Sequence, residues 1–118
     1  AGGTQRIMRQ ISPSRAQGLM FTGNWVAAEQ ALELGLINLV VPLDALMPKA
    51  IELAERIAAK SPLIIKLLKR TLRDGADMPL GAALAHEQAM VSLVFDTQDA
   101  KEGIGAFLKK RKASFKGH

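Results

Sequence analysis

Apolar residues recur every three or four positions along most of the chain, which is the spacing of amphipathic helices. In residues 43–60 the apolar and charged side chains fall on opposite sides of one predicted helix. Residues 80–95 are apolar around most of a predicted helix, and such helices are buried or packed against another subunit. The pattern therefore predicts a mainly α-helical fold.

Two Ser-Pro pairs mark helix starts, at positions 12–13 and 61–62. Serine is a favoured N-cap, and proline is favoured at the first helical position. The helices that they open are predicted to end near Gly23 and Gly75, because glycine readily adopts the left-handed conformation that follows a helix. A short helix over residues 27–34 and a last helix over residues 99–111 complete the prediction.

One segment breaks the helical pattern. Residues 36–41 are rich in branched side chains and lie between Gly35 and Pro42, which is typical of a short strand. No second strand is predicted, so this one would lack a partner within the chain.

Composition narrows the class of protein. The chain has 118 residues, of which 48% are hydrophobic, and it contains no cysteine. This size suits one hydrophobic core, and no apolar run approaches the ~20 residues of a membrane span. His86 and His118 lie far apart without acidic partners at ligand spacing, so no metal site is predicted. Without a secretion signal, we expect the cytoplasm or an organelle matrix.

Positive charge gathers at the C-terminus. The chain carries 16 basic and 11 acidic residues, and the last sixteen positions hold five basic residues and no acid. This segment is either a solvated tail or an anion site. The same two interpretations apply to the basic face of the helix predicted after Pro62, which comprises Lys66, Lys69, Arg70 and Arg73.

The acidic and histidine side chains favour structural roles. The helix-spaced pair Glu29 and Glu33 lies on a polar surface, where carboxylates are solvated. The same holds for Glu52 and Glu55. Within the apolar helix of residues 80–95, His86 and Glu87 are interpreted as structural hydrogen-bonding groups rather than catalysts.

Several ordered motifs resemble those of the enoyl-CoA hydratase/isomerase (crotonase) family. They are A-G-G-T-Q-R at 1–6, F-T-G at 21–23, G-L-I-N at 35–38, V-V-P at 40–42 and D-x-x-E-G-x-x-A-F-x-x-K-R with a later F-K at 99–116. The resemblance implies the C-terminal helical region of a crotonase-like spiral fold, with one short strand near 36–41. Residues 1–42 would end the core, and residues 43–118 would form a helical trimerisation region with a basic tail.

The resemblance also implies an activity. Family members add water to 2-enoyl-CoA thioesters without a cofactor, using backbone oxyanion donors and two glutamates. By the resemblance these groups belong upstream of Ala1, so no catalytic residue is expected here. The helix that begins at Gly2 and Gly3 would point its N-terminus toward the active site.

Phe107 and Lys110 match the family residues that contact the adenine and phosphate end of CoA at an adjacent subunit. Being three positions apart, they are predicted to share one helix face; the alternative is a core phenylalanine and a solvated lysine. Lys109 stands where the family usually has an acid, which raises the local positive charge.

The expected partners are acyl-CoA and further copies of the chain in a trimer or a dimer of trimers, with neither nucleic acid nor a membrane. The competing interpretation is a self-standing helical interaction module or a basic RNA-binding module without catalysis.

Overall fold

The computed structural model describes all 118 residues and contains seven α-helices and no strand, which confirms the mainly helical prediction. The chain divides into two units, Ala1–Pro48 and Lys49–His118. The helices are α1 (Gly3–Gln10), α2 (Pro13–Thr22), α3 (Ala28–Glu33), α4 (Leu43–Ala58), α5 (Pro62–Gly75), α6 (Leu80–Phe95) and α7 (Gln98–Leu108).

In the first unit, α1 packs against α2. Ile11, which follows α1, and Ala16 of α2 are its buried apolar residues. Gln10 donates a side-chain hydrogen bond to the carbonyl of Leu36 at 3.0 Å, which ties the end of α1 to the turn after α3. These contacts give the first unit a small core close to the ends of its helices.

The helix ends of this unit follow the sequence signals, with one exception. Pro13 occupies the first turn of α2, as predicted, but the Ser12 side chain forms no capping hydrogen bond. Gly23 and Gly35 both adopt the left-handed conformation after α2 and α3, with φ of 64° and 79°. The glycines therefore end these helices as expected.

The predicted strand is wrong. Residues 36–41 run as irregular backbone between α3 and α4. A strand exists only when its backbone groups pair with a neighbouring strand, and this chain provides none. The branched residues of the segment indicated strand propensity, which tertiary context overrides.

In the second unit, α5 and α6 form the main helix pair and α7 contacts both. Its buried apolar residues, Ala100 and Ala106, both belong to α7. No residue of α6 is buried within the chain, although its extent matches the prediction. α5 covers only one side of α6, and the exposed apolar side chains of its other sides leave packing against another chain or segment as the predicted alternative.

α4 also leaves its apolar side chains exposed and has no buried residue. None of the seven helices has the combination of length and apolar character that crossing a bilayer requires.

Candidate functional site

The second unit is organised around Asp99, in the first turn of α7, which is 2% exposed. Its carboxylate accepts hydrogen bonds from the Ser61 hydroxyl at 2.5 Å and from the backbone N–H groups of Lys116 and Gly117 at 2.8 and 2.9 Å. The Asp99 N–H in turn donates to the carbonyl of His118 at 2.9 Å. One carboxylate thereby joins the start of α5, the start of α7 and the C-terminal segment.

Burial and hydrogen bonding act in opposite directions on Asp99. Burial raises the pKa of its carboxyl, but the hydrogen bonds from Ser61, Lys116 and Gly117 favour the charged form and together hold the pKa below its ordinary value. Asp99 is therefore an ionised structural centre at neutral pH, with its oxygens already occupied.

Glu102 forms a second attachment one turn along α7. It pairs with both terminal nitrogens of the Arg111 guanidinium, at 2.6 and 2.7 Å, and accepts the Ser114 N–H at 2.9 Å. The hydrogen bonds from Arg111, and then that from Ser114, lower the pKa of Glu102 to about 2. A bidentate arginine pair is the strong form of this interaction, since its two parallel bonds also fix orientation.

These attachments correct the picture of a solvated tail. Residues 112–118 are irregular, but their backbone is held against α7 and the start of α5. Gly117 has a φ of 85° and lies so close to Pro62 that an added Cβ would stand 3.1 Å from the proline ring. The side chains of Lys112 and Lys116 in this segment remain exposed.

The structure places Phe107 and Lys110 near the end of α7, and both are exposed. The helix ends at Leu108 rather than at 111, so the prediction that the two residues share one helix face is wrong. The N–H of Lys110 bonds to the carbonyl of Phe107 at 3.1 Å, and the N–H of Arg111 bonds to that of Ala106 at 3.0 Å. This pair of bonds is the Schellman helix ending.

Lys110 occupies the left-handed position of that ending, with φ of 51°, and is the single non-glycine residue of the chain with positive φ. The end of α3 has the same pair of bonds, from Gly35 to Leu32 and from Leu36 to Ala31. Glycine takes the strained position there without a steric penalty. Lysine at the equivalent point of α7 is thus an energetically unfavourable choice that local structure does not explain.

A cleft of about 650 Å³ lies between α7 and the C-terminal segment. Its lining includes Lys101, Lys109 and Lys116, together with the two carboxylates already described. The lining also includes Arg111, so four cations outnumber the two carboxylates. The cleft beside the end of α7 is consequently cationic.

Gly2 and Gly3 lie at the start of α1, in the first unit. Gly2 has φ of 95°, which glycine adopts without strain, and no side chain caps the helix. The first N–H groups of a helix have no intrahelical partner and carry its positive dipole end. The two glycines therefore present backbone donors and no side chain.

The other candidate groups remain apart from these features. Glu52 pairs with Lys49 at 2.6 Å on the surface of α4, and its pKa is lowered chiefly by that hydrogen bond. No cluster of residues could hold a metal ion. His86 differs from the expectation of a satisfied hydrogen-bonding group, since its Nε2 is buried without a partner.

The roles of Ser61, Asp99 and Glu102 as one connected network were not predicted. The sequence predicts Ser61 only as the start of a helix, and it shows Asp99 and Glu102 only as part of a family motif. Their D-x-x-E spacing, which puts both acids on one side of a helix, was the available signal. That spacing could not identify the hydrogen-bonding partners of the two acids, which lie up to 38 positions away in the chain.

Comparison with known proteins gives a consistent result. The family model described as enoyl-CoA hydratase/isomerase matches residues 1–118. The 2,3-dehydroadipyl-CoA hydratase of Escherichia coli is 40% identical over 99% of this chain and 46% of its own length. The crotonyl-CoA hydratase of Syntrophomonas wolfei is 40% identical over 97% of this chain and 44% of its own.

Solved structures agree with this. A crystal structure of an enoyl-CoA hydratase from Bacillus anthracis superimposes with a TM-score of 0.96 at 41% identity, covering 100% of this chain and 46% of that one. One from Geobacillus kaustophilus gives 0.94 at 40% identity, with the same coverage. The chain thus spans about half the length of the relatives that it matches.

Proposed function

This chain belongs to the enoyl-CoA hydratase/isomerase family, and on that premise we propose that it forms the C-terminal part of an enzyme that adds water to 2-enoyl-CoA thioesters. Its substrate is an acyl-CoA, and the reaction needs no further cofactor. The support is a family match over residues 1–118 together with hydratases among the relatives at 40% identity. We further propose that the enzyme works in the cytoplasm or an organelle matrix.

The conformation of Lys110 is the observation that supports a binding role at the end of α7. A residue kept in a strained backbone conformation at an exposed position is a candidate for function, because folding alone would favour glycine there. Lys110 stands beside Phe107, whose side chain is 82% exposed. We propose that Phe107 offers its ring face to the adenine of CoA and that Lys110 donates to a phosphate.

The left-handed turn changes how these residues would act. On a continuous helix the ammonium group would lie over the same face as the ring. In the Schellman ending Lys110 lies beyond the last helical turn, so it does not continue the helix face on which Phe107 lies. The ion pair between Glu102 and Arg111 holds the backbone next to this turn, since Arg111 immediately follows Lys110.

Residues 43–118 are proposed to form the subunit interface of a trimer or a dimer of trimers. The support is the part of the apolar surface of α6 that α5 does not cover, where large apolar side chains remain exposed. In residues 1–42, the N-terminus of α1 at Gly2 and Gly3 is proposed to face the active site. Its dipole would there favour negative charge developing on the thioester oxygen.

The decisive experiment is steady-state kinetics of crotonyl-CoA hydration by the complete enzyme that contains this chain. We expect Lys110→Ala to raise KM about tenfold or more at low salt and to leave kcat nearly unchanged. A contact that is equally strong in the ground and transition states affects KM alone. Phe107→Ala should act in the same direction with a similar or smaller effect.

Lys101→Ala is the matched control, because it removes the same charge from the other end of α7. Its KM should change by less than about twofold, as expected for a solvated surface lysine. A fall in kcat at unchanged KM, or no effect of either variant, would leave Phe107 and Lys110 as structural and surface residues.

A further inference from the structure

The outer face of α5 carries a groove of about 450 Å³. α5 packs against α6 through a different set of side chains, among them Ile64, Leu67 and Thr71. The residues that line the groove are Pro62, Ile65, Lys66, Lys69, Arg70 and Arg73. Four of the six are cations, on a face that the helix does not use for its packing on α6.

The arrangement of these cations disfavours the helix itself. Lys66 and Arg70 are four residues apart, as are Lys69 and Arg73, and like charges at this spacing destabilise a helix. The chain as a whole is nearly balanced outside its last sixteen residues, yet this face concentrates positive charge. This local excess of positive charge contributes nothing to the packing of α5 on α6.

Asp74 organises two of the four cations. It accepts a hydrogen bond from Nε of Arg70 at 3.3 Å and from Nε of Arg73 at 3.1 Å. The hydrogen bond from Arg73 is the main cause that lowers the pKa of Asp74, which stays ionised at neutral pH. Because both bonds use Nε, the two terminal nitrogens of each guanidinium remain available as donors.

The exposed fractions of the side chains agree with Asp74 as the positioning group and the two arginines as the ligand-binding groups. The side chains of Arg70 and Arg73 are 63% and 78% exposed, whereas that of Asp74 is 29% exposed. Lys66 and Lys69 are exposed and form no ion pair. One carboxylate therefore positions two guanidinium groups beside two unpaired ammonium groups, and the local charge is strongly positive.

We infer that this groove is a binding site for a small polyphosphate, that is, a ligand carrying a di- or triphosphate group. Guanidinium groups bind phosphate in bidentate fashion, and prior positioning reduces the entropy lost on binding. From Lys66 to Arg73 the helix rises about 10 Å, a distance that the long side chains of the four cations can span to meet one compact anion. This site is independent of the proposed CoA contacts at Phe107 and Lys110, which do not line it.

The lining favours a small ligand over a polymer or a membrane. It contains no aromatic side chain on which the bases of single-stranded nucleic acid could stack. Its apolar part consists of Pro62 and Ile65 alone, which is little surface to insert into a lipid headgroup layer.

The test is calorimetric titration of the complete enzyme that contains this chain with inorganic pyrophosphate and tripolyphosphate, at low and at physiological salt. Lys66→Gln/Lys69→Gln should weaken binding at least tenfold, which corresponds to about 1.4 kcal/mol. The matched control is Lys101→Gln/Lys116→Gln, which removes two charges from the cleft beside α7. It should change the affinity by less than about threefold, through the general field alone. Circular dichroism should verify that each variant keeps its helices.

Asp74→Asn gives a sharper test, because two explanations predict opposite signs. It makes the groove more positive, so attraction by net charge alone would tighten pyrophosphate binding. If Asp74 positions the two guanidiniums, binding should instead weaken about threefold or more despite the added charge.

Three outcomes would overturn the inference. They are absence of saturable pyrophosphate binding, equal losses in the α5 variant and its control, and tighter binding by Asp74→Asn. Parallel titrations with oligouridylate and with vesicles containing anionic lipid test the other sources of phosphate. Binding to either of these without binding to pyrophosphate would replace the small-ligand site by a polymer or membrane surface.

Discussion

The hydroxyl of Ser61 donates a hydrogen bond to Oδ2 of Asp99, which lies 38 positions later in the chain. The same hydroxyl oxygen accepts the N–H of Ile64 at 3.2 Å, so it caps α5 while it connects α5 to α7. Ser12 stands before a proline in the same way at the start of α2, but its side chain makes no capping bond. The two Ser-Pro pairs thus have different structural roles, because only Ser61 has a partner, Asp99, in another helix.

This difference predicts unequal costs for the same substitution. Ser61→Ala removes a cap and leaves Asp99 without one of its donors, so it should lower the free energy of unfolding by about 1–2 kcal/mol. Ser12→Ala removes no such bond and should stay within about 0.5 kcal/mol. Urea denaturation followed by circular dichroism measures both. Equal losses would show that the connection to Asp99 adds nothing.

Local signals in the sequence predicted the helices well. Proline fixes the backbone at the first turn of α2 and α5, and glycine terminates α2 and α3, so those boundaries depend on residues close in sequence. The strand at 36–41 failed because strand formation depends on a neighbour that this chain does not contain. Propensity cannot supply that neighbour.

The candidate site was predictable only in part. The family resemblance identified Phe107 and Lys110, but helical spacing gave them the wrong geometry, since a lysine is not expected at the left-handed position. The attachment of the C-terminal segment could not be predicted from the sequence either, because its hydrogen bonds join Asp99 to backbone groups 17 and 18 positions away. Backbone donors carry no sequence signature.

Acid should release the C-terminal segment. The pKa of Glu102 is lowered from 4.5 to about 2 by Arg111 and Ser114, so folding favours the ionised form. The stability that this pair contributes is fully present above pH 4.5 and is lost as the pH falls toward 2. Thermal melts between pH 6 and 2 should therefore show a falling melting temperature, while proteolysis near Ser114 becomes faster.

Glu102→Gln supplies the comparison. The amide cannot ionise, so this variant should start less stable at neutral pH and lose less stability on acidification than the unmodified chain. Asp99 also has a lowered pKa and would retain part of the dependence. Parallel curves for the two proteins would mean that Glu102 does not hold the segment.

The two Schellman endings predict opposite effects of exchanging glycine. Lys110→Gly relieves a left-handed lysine and should raise the free energy of unfolding by about 1 kcal/mol, whereas Gly35→Ala should lower it by a similar amount. In the complete enzyme, Lys110→Gly should also raise KM for crotonyl-CoA. A variant that is more stable and binds less tightly would identify lysine as retained for the ligand.

The 118-residue chain alone should have no measurable hydratase activity toward short or medium enoyl-CoA thioesters. By the family resemblance, the two catalytic glutamates and the oxyanion donors are not expected among its residues. Acid–base catalysis and oxyanion stabilisation each contribute roughly 10²-fold or more to the rate. Loss of enoyl absorbance is the measurement. A rate above buffer that follows the purified chain through chromatography would contradict this expectation.

The isolated chain should self-associate at micromolar concentration. Its buried apolar residues are Ile11, Ala16, Ala100 and Ala106 alone, whereas large apolar side chains of α4 and α6 remain exposed. Exposed apolar surface beyond a few hundred Å² normally marks an interface. We therefore expect light scattering to detect species larger than a monomer, and an apolar dye to bind when these species dissociate on dilution.

Substitutions at two residues of α6 distinguish apolar burial from charge as the cause of self-association. Leu84 and Gln88 lie one turn apart and line the same groove of about 510 Å³. Leu84→Lys removes apolar contact and adds a charge, whereas Gln88→Lys adds the same charge at the same face and removes no apolar side chain. If apolar burial drives association, Leu84→Lys should shift the population toward monomer much more than Gln88→Lys, because burying a leucine is worth about 1.5–3 kcal/mol. Equal shifts would attribute the effect to charge, and a monomeric unmodified chain without dye binding would exclude this surface as an interface.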